Sequence, residues 1–326
     1  DIGALVKLKS THSGHTLCDK KDPIQYEPAE VPGAVIRMSI RAKAKGDEEK
    51  IASGLARLKE EDPSIKVVVD SEIKQTLISG QGELHLEVIV DRLKRKYGVD
   101  VELEKPRVPY RETIKSKVEV QGKYKKQTGG RGQYGDCWLK LEPLPRGTDF
   151  EFVNAIAGGI IPTKYIPSVG KGIQEARDSG GLSGSRVVDI KVTVYDGSYH
   201  TVDSSDMAFK IAGSMAFKDG FLKADPYLLE PIYNIEVIVP EDYMGDVMGD
   251  ISARRGKIMG MDPDGKNQRI KAQVPLAELY KYSTSLRSLT QGRGIHTREF
   301  SHYEEVPREI AGKVIEETKR VKEEEK

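Results

Sequence analysis

Alternating and helical patterns of apolar positions predict a complete domain near the start of the chain. Between 35 and 103, runs of period two alternate with segments in which Ile, Leu and Val recur at helical spacing. The predicted elements are a strand over 35–40, a helix between Gly46-Asp47 and Asp62-Pro63, strands over 65–69 and 75–79, a helix over 83–97 and a strand over 99–103. This βαββαβ order is typical of a ferredoxin-like sandwich.

The same order of elements recurs near the end of the chain. The predicted elements are a strand over 232–239, a helix over 243–255, strands over 257–261 and 269–274 around the turn Asp262-Pro263-Asp264-Gly265, a helix over 279–289 ending at Gly292, and a strand over 297–303. A last amphipathic helix starts at Arg308 and ends in a charged tail. We therefore predict two ferredoxin-like domains with a different domain between them.

The middle region follows another pattern. Its predicted elements are a hairpin with arms over 116–124 and 137–141, a strand over 150–153, a helix over 164–176, a strand over 187–195 and a helix over 206–221. Asp203 or Ser204 is the expected N-cap of the last helix, because a side-chain oxygen there would accept from first-turn amides. At the start of the chain, Ile2 to Leu8 predict the remnant of a strand, and a proline-containing linker follows up to residue 32.

Composition narrows the function classes only in part. Lys and Arg number 52 against 51 Asp and Glu, so any contact with nucleic acid must come from a local patch. Two cysteines far apart in sequence are typical of a reducing cytosol, which predicts a cytoplasmic location. No run approaches the roughly 20 apolar residues that span a bilayer, and the first residues lack an initiator Met. We expect no membrane partner and a chain that begins inside a longer protein.

One glycine-rich segment, Gly130 to Gly135, fits the G-x-G-x-x-G pattern of dinucleotide-binding loops. Such a loop must open a helix whose N-terminus meets the pyrophosphate, whereas the residues after Gly135 predict a strand. The sequence also lacks the G-x-x-x-x-G-K-[ST] phosphate loop. We expect no catalytic residue, no cofactor site and no metal site in this chain.

The same segment carries residue types that contact RNA. Cations for phosphate, planar groups for bases and amides for base edges are interleaved along it: Lys123, Tyr124, Lys125, Lys126, Gln127, Arg131, Gln133 and Tyr134. The glycines among them permit close approach of the backbone to a ligand. A solvated hairpin without a ligand is the alternative interpretation.

Three other segments carry candidate chemistry. In the loop 196–203, His200 has no nucleophile pattern near it, which favours a turn or ligand-contact role over catalysis. The motif from His12 to Cys18, H-x-x-H-x-x-C, has zinc-ligand types but no compact fourth ligand, so surface positions are favoured. The Gly/Ser-rich run 179–185 suits either a phosphate cradle built from backbone amides or a flexible connection.

Long motifs in the two loops and elsewhere resemble elongation factor G, the ribosomal translocase. They are Gln127-Thr128-Gly129-Gly130-Arg131-Gly132-Gln133-Tyr134-Gly135, Gly197-Ser198-Tyr199-His200-Thr201-Val202-Asp203-Ser204-Ser205, Gly80-Gln81-Gly82-Glu83-Leu84-His85-Leu86, Pro109-Tyr110-Arg111-Glu112-Thr113 and Gly249-Asp250-Ile251-Ser252-Ala253-Arg254-Arg255-Gly256. The resemblance covers essentially the whole chain. It implies an α+β fold in which ferredoxin-like third and fifth domains, 33–107 and 231–307, flank a ribosomal protein S5 domain 2-like βαβ fourth domain, 108–230. The end of a β-barrel domain would occupy 1–32, and a C-terminal helix 308–326.

The resemblance also implies a role and a set of contact residues. The tip of the fourth domain would enter the decoding site of the small ribosomal subunit during translocation of tRNA and mRNA, acting as a wedge without bond chemistry. The implied contacts there are Lys126, Gln127, Gly129, Gly130, Arg131, Gln133, Tyr134, His200 and Asp203. Arg254, Arg255 and Arg287 of the fifth domain would contact large-subunit RNA near the factor-binding centre. GTP and Mg²⁺ would bind a GTPase domain that this chain lacks, and the protein would act as a monomer.

Two alternatives stay open. A tetracycline-type ribosomal protection protein or a second factor G shares this architecture and belongs to the same class. A small-molecule kinase of the homoserine or mevalonate type belongs to a different class, because such kinases share a related βαβ unit and use Gly/Ser-rich phosphate loops. Saturable ATP binding by this chain would favour the kinase.

Overall fold

The computed structural model describes residues 2–8, 10–28, 30–31, 33–127 and 132–324. The chain divides into two units: unit 1 contains 1–108 and 233–300, and unit 2 contains 109–232 and 301–326. Among the described residues before Val35, the only strand-like pairing is an isolated bridge between Asp19 and Asp22. The strand expected from Ile2 to Leu8 is therefore wrong, because these apolar side chains are exposed and find no neighbouring strand among the described residues.

The first part of unit 1 is a four-stranded sheet with two helices. Its elements are β1 (Ile36–Ala42), α1 (Glu48–Glu61), β2 (Lys66–Asp70), β3 (Gln75–Gly80), α2 (Glu83–Tyr97) and β4 (Val101–Glu104). The strands are antiparallel in the order β2-β3-β1-β4, which confirms the ferredoxin-like prediction. The apolar faces of both helices are buried with the sheet in one core. α2 ends where Gly98 adopts a left-handed φ of 65°.

The middle region in unit 2 is a second four-stranded sheet with two helices. Its elements are β5 (Arg111–Ile114), β6 (Val118–Lys126), β7 (Gln133–Pro143), β8 (Phe150–Asn154), α3 (Ile166–Ser179), β9 (Ile190–Ser198) and α4 (Asp206–Lys223). The order is β6-β7-β9-β8, and the parallel pair β8 and β9 is joined through α3 as a βαβ unit. The sequence pattern predicts all of these elements except β5, which is short and pairs at the edge of another sheet.

Helix α4 lies directly on the backbone of β6 and β7. A Cβ atom at Gly122 would lie 2.2 Å from the carbonyl oxygen of Ala212, and one at Gly135 would lie 2.5 Å from that of Ala208. Only glycine permits this approach, so Gly135 of the predicted RNA-contact segment also serves packing, as does Gly122 before it.

The N-cap of α4 differs from the prediction. Ser205 caps the helix, and its Oγ accepts from the amide of Ala208 at 3.3 Å. The expected caps, Asp203 and Ser204, are engaged elsewhere: the Asp203 carboxylate accepts from the amide of Gly132, and the Ser204 hydroxyl accepts from the amide of His200. Residues 203–205 each offer a side-chain oxygen that could cap the helix. These tertiary contacts determine which of them becomes the N-cap.

The last part of the chain supplies β10 (Pro226–Pro240), α5 (Met244–Ala253), β11 (Lys257–Asp264), β12 (Asn267–Pro275), α6 (Tyr282–Leu289), β13 (Ile295–Glu305) and α7 (Arg308–Glu324). The strand order β11-β12-β10-β13 repeats the order of the first sheet, which confirms the second ferredoxin-like prediction. β5 pairs with the residues Pro226 to Leu229 of β10. In unit 2, α7 packs through Val314 against Leu228 and Val306.

Two details of this second domain correct the prediction. Asp262 and Pro263 belong to β11, where they pair with Arg269 and Gln268, and the turn comes later at Gly265. Proline is tolerated because β11 is the edge strand and needs no second ladder bond. The helix expected over 279–289 starts only at Tyr282, because Lys281 has a left-handed φ of 54°.

Candidate nucleic-acid interface

The hairpin of β6 and β7 forms one end of the middle sheet. Its pairing runs without a shift from Val118 opposite Leu141 to Lys126 opposite Gln133. Lys126 and Gln127 are exposed at the last described positions of the outgoing arm. The predicted contacts Gly129, Gly130 and Arg131 lie outside the described residues.

The loop after β9 is bonded to the returning arm of the hairpin through Asp203. The Asp203 carboxylate accepts from the amide of Gly132 at 3.0 Å, and the Asp203 carbonyl accepts from the amide of Tyr134 at 2.9 Å. A Cβ atom at Gly132 would lie 3.0 Å from Cγ of Asp203, so the two segments touch closely. The structure thus brings together the two loops that the sequence singles out, and Asp203 acts as the link between them.

His200 is oriented by its own loop. Its Nδ1 lies 3.3 Å from the amide of Val202, 3.2 Å from the amide of Asp203 and 3.3 Å from the carboxylate of Asp203. The side chain remains 55% exposed, and its ring centre lies 6.5 Å from that of Tyr134. An exposed imidazole fixed by backbone amides suits a contact role.

A buried carboxylate holds the base of this end together. Asp136 accepts from Ser198 Oγ at 2.6 Å and from the amide group of Gln121 at 2.8 Å. Tyr134 Oη also lies 2.6 Å from Ser198 Oγ, and Gln133 accepts from the hydroxyl of Tyr124 at 3.0 Å. Tyr134 and Gln133 therefore have structural partners in addition to their predicted RNA contact.

A third loop reaches the same end of the sheet, and the sequence analysis missed it. The loop 155–162 follows β8, whose last residue Asn154 pairs with Val194 of the parallel strand β9. Ile161 anchors the loop, since a Cβ atom at Gly197 would lie 2.6 Å from its Cδ1 atom. Ile160 beside it is 44% exposed. The parallel pairing of β8 and β9 is the feature from which this loop could have been predicted. Parallel strands have their carboxyl ends at the same edge of the sheet, so the loops that follow them lie at that edge.

Charges differ between the two ends of the middle sheet. At the end far from the tip, Lys117 lies 2.8 Å from the carboxylate of Glu142, and Lys191 lies 3.3 Å from that of Glu151. These lysines are neutralised by partners on the sheet itself.

Near the tip, the lysines have no such partners. Lys125 and Lys126 are exposed and form no ion pair within the part of the chain that the structure describes. Lys123 places its ammonium 5.9 Å from the ring centre of Tyr134. The tip therefore presents uncompensated positive charge beside aromatic rings, which is the combination that RNA backbones and bases require.

The Gly/Ser-rich run already holds an anion of the protein itself. The carboxylate of Glu112 accepts from the amides of Gly181, Leu182, Ser183 and Ser185 at 2.7–2.9 Å and from the Ser183 hydroxyl at 2.9 Å. Glu112 is fully buried. Of the two interpretations left open for this run, the amide cradle is the one that the structure shows, but a glutamate fills the place that a phosphate would take in a kinase.

The three arginines expected to contact large-subunit RNA differ in their surroundings. Arg254 donates to the Asp250 carboxylate at 2.8 Å, to the carbonyl of Glu278 and to Ser285. Arg255 lies 3.7 Å from the Glu278 carboxylate. Arg287 donates to the carbonyl oxygen of Gln81 at 3.4 Å and is the arginine among these three for which no carboxylate contact is found in the described residues.

The two histidines near the start of the chain contact each other. His12 and His15 stack edge to face with ring centres 5.3 Å apart, and Cys18 is exposed. Within the described ranges, no three His, Cys, Asp or Glu side chains gather in a metal-binding group. The described helices include none with the length and apolarity to cross a bilayer. Burial raises the pKa of the Cys137 thiol to about 12, which makes that sulfur unreactive.

Comparison with known families covers nearly all of the chain. Models described as elongation factor G domain III, domain IV and C-terminus match residues 31–105, 106–225 and 227–314. The chain is also similar to a crystal structure of a protein from Thermus thermophilus, with a TM-score of 0.78 and 48% identity over 90% of this chain. This chain spans 44% of the length of that protein.

Proposed function

Since this chain belongs to the elongation factor G family, we propose that it is the ribosome-binding part of a translocation factor. The tip formed by the hairpin and the loop after β9 enters the decoding region of the small subunit. There it contacts tRNA and mRNA and promotes their GTP-dependent movement. The GTPase domain that binds GTP and Mg²⁺ belongs to the complete protein, which acts as a monomer in the cytoplasm.

The observation that carries this proposal is the unpaired positive charge at the tip. Lys125 and Lys126 project from a hairpin whose returning arm is fastened to the His200 loop through Asp203. Lysines far from the tip on the same sheet have glutamate partners. Charge without a partner at the end of a well-packed domain is stabilised when RNA phosphates approach it.

The tip acts by position rather than by chemistry. His200 is held at Nδ1 by its own loop, and the buried Asp136 fixes the strands behind it. A tip that occupies space beside the codon–anticodon helix favours forward movement by excluding the return of the RNA. Ribosomal protection proteins share this architecture, so the reaction rather than binding alone must be measured.

The test compares translocation with GTP hydrolysis in the complete factor. Lys125→Ala combined with Lys126→Ala should slow single-round translocation about 10-fold, the effect of losing roughly 1.4 kcal/mol of transition-state contact. Ribosome-stimulated GTP hydrolysis should be unchanged, because the tip takes no part in it. His200→Ala should act in the same direction.

The matched control removes two paired lysines, with Lys117→Ala and Lys191→Ala in one protein. This variant should translocate at the parent rate. A tip variant that also translocates at the parent rate would contradict the proposed function.

A further inference from the structure

A groove follows one edge of the first ferredoxin-like sheet, between α2 and the edge strand β4. Its volume is about 530 Å³. In the strand order β2-β3-β1-β4, β4 pairs with β1 on one side and has no neighbouring strand on the other side among the described residues. The side of α2 that faces the groove carries Leu86, Val90 and Lys94 at helical spacing.

The groove has an apolar lining. Met38 of β1, Leu86 of α2 and Val101 of β4 belong to the core of the domain and are 7% exposed or less. Val90 and Leu103 are partly buried against the same core. An apolar side chain that entered the groove would therefore extend the core of the domain.

The backbone of β4 presents hydrogen-bonding groups at the same edge. The amide of Lys43 donates to the carbonyl of Asp100 at 3.1 Å, and Ala42 lies opposite Val101 in the next pair. Bonded and non-bonded pairs alternate along an antiparallel ladder, so the N–H and C=O groups of Val101 and Leu103 point away from β1. These groups have no hydrogen-bond partner in the part of the chain that the structure describes.

An unpaired strand edge beside an apolar groove is the arrangement by which proteins bind an extended segment as an added strand. Main-chain hydrogen bonds with β4 would hold such a segment. Every second side chain of the segment would point into the groove, because side chains alternate between the two faces of a strand. A compact ligand could fill the groove, but it would leave the N–H and C=O groups of Val101 and Leu103 without partners.

Most charges of the lining are compensated. Lys43 and Lys94 both bind the carboxylate of Asp100, at 3.4 Å and 3.0 Å. The other carboxylates of the lining, apart from that of Glu87, pair with cations that lie outside the groove. The lining therefore offers no cation without a partner to a phosphate, which argues against RNA as the ligand.

Glu87 is the carboxylate that a ligand can use. It is exposed on α2 and forms no ion pair among the described residues. Lys281, whose charge acts on Glu87 from a distance, is bound to Glu83. A Lys or Arg on the groove side of an added strand would therefore find an acidic partner at Glu87.

We propose that the groove between α2 and β4 binds an extended segment of a partner protein as a further strand of this sheet. The N–H and C=O groups of Val101 and Leu103 bond its backbone, and the apolar lining receives a Val, Ile or Leu side chain. Glu87 pairs with a Lys or Arg two residues away on the same face of the segment. The site is independent of the tip and of the function proposed for it.

The experiment measures binding of a fluorescein-labelled heptapeptide, Thr-Lys-Thr-Val-Thr-Lys-Thr, to this 326-residue chain by fluorescence anisotropy. One control peptide carries Glu in place of Lys, and another carries N-methyl groups on the three central amides, which removes the ladder donors and keeps the side chains. The first peptide should bind saturably, and each control should bind at least about 5-fold more weakly. Equal binding of either control would overturn the proposal, as would displacement of the peptide by oligouridylate.

Glu87→Lys should weaken binding of the lysine peptide about 5- to 10-fold, because attraction is replaced by repulsion. The matched control is Glu60→Lys, since Glu60 is exposed on α1 of the same domain, lies outside the groove and forms no ion pair among the described residues. It should change the affinity less than about twofold. Equal losses in both variants would overturn the proposal, because they would indicate attraction by overall charge.

Amide hydrogen exchange measured by NMR locates the added strand. With the lysine peptide bound, the amides of Val101 and Leu103 should exchange at least about 10-fold more slowly, because they become ladder donors. The amides of Glu102 and Glu104 belong to the pairs bonded to β1, so their exchange should change little. Binding without slower exchange at Val101 and Leu103 would overturn the proposal, since the peptide would then lie in the groove without pairing with β4.

Discussion

Single residues at the tip divide between those that build it and those that face outward. Asp203 was predicted as an RNA contact from its motif, yet its carboxylate and carbonyl link the hairpin to the next loop. His200 uses Nδ1 for its own loop and keeps its other edge exposed. The sequence predicted which residue types gather at the tip, because the motifs of the two loops contain them. It could not predict which side chains would be consumed by internal bonds, because those partners lie far away along the chain.

Glu112 illustrates the same limit and carries a prediction about stability. The pattern of glycines and serines was compatible with an amide cradle or a flexible connection, and the residue that decides between them lies 69 residues before Gly181 in sequence. Glu112→Gln keeps the shape of the side chain, yet it turns an NH₂ group toward backbone N–H donors that have no other acceptor. The free energy of unfolding of unit 2 should fall by about 3–5 kcal/mol, measured by urea denaturation.

Glu119→Gln is the control for this measurement, because Glu119 is exposed and, among the described residues, accepts a hydrogen bond only from Tyr195, at 3.2 Å. It should change the free energy of unfolding by less than about 0.5 kcal/mol. Similar effects from both substitutions would contradict the role of Glu112. The same proteins also test the kinase alternative, since millimolar ATP should not protect the parent from heat while Glu112 fills the cradle.

Among the elements, α4 and the hairpin depend on each other through glycine. The contact of Gly122 with Ala212 and of Gly135 with Ala208 places the helix on the strands without intervening side chains. Such packing holds the described part of the hairpin directly against the helix.

Gly122→Ala tests this coupling. The added Cβ would lie 2.2 Å from the Ala212 carbonyl, so helix and strand must separate, at a cost of about 1–3 kcal/mol in unfolding free energy. Gly312→Ala is the control in α7 of the same unit, where a Cβ meets nothing within 4 Å. It should stabilise the helix by about 0.5–1 kcal/mol. Thermal unfolding followed by circular dichroism distinguishes the two, and a Gly122→Ala protein as stable as the parent would contradict the packing argument.

Element order was the part of the fold that the sequence predicted best. The repeated βαββαβ pattern and both sheets follow from apolar spacing, and α2 has the predicted bounds Glu83–Tyr97. The ends of helices and strands were harder to predict where they depend on the position of a strand in its sheet or on the φ angle of one residue. Pro263 continues β11 because that strand is at an edge, and Lys281 interrupts a helical pattern by its left-handed φ. β5 escaped notice because four residues carry too little pattern.

At the scale of the whole molecule, the proposed function assigns an RNA-facing surface to the tip of unit 2. Lys125 and Lys126 form no ion pair there among the described residues, whereas Lys117 and Lys191 at the other end of the same sheet pair with glutamates. For a chain of net charge +1, the proposal therefore depends on where the charges are placed rather than on their total.

The most direct measurement is a cryo-electron microscopy map of the complete factor on a ribosome with tRNA and mRNA, held by a non-hydrolysable GTP analogue. We predict density for the β6–β7 hairpin and the His200 loop inside the decoding region of the small subunit, with Lys125 or Lys126 within contact distance of RNA phosphate. A map in which the factor is bound but the hairpin end points into solvent would contradict the central claim.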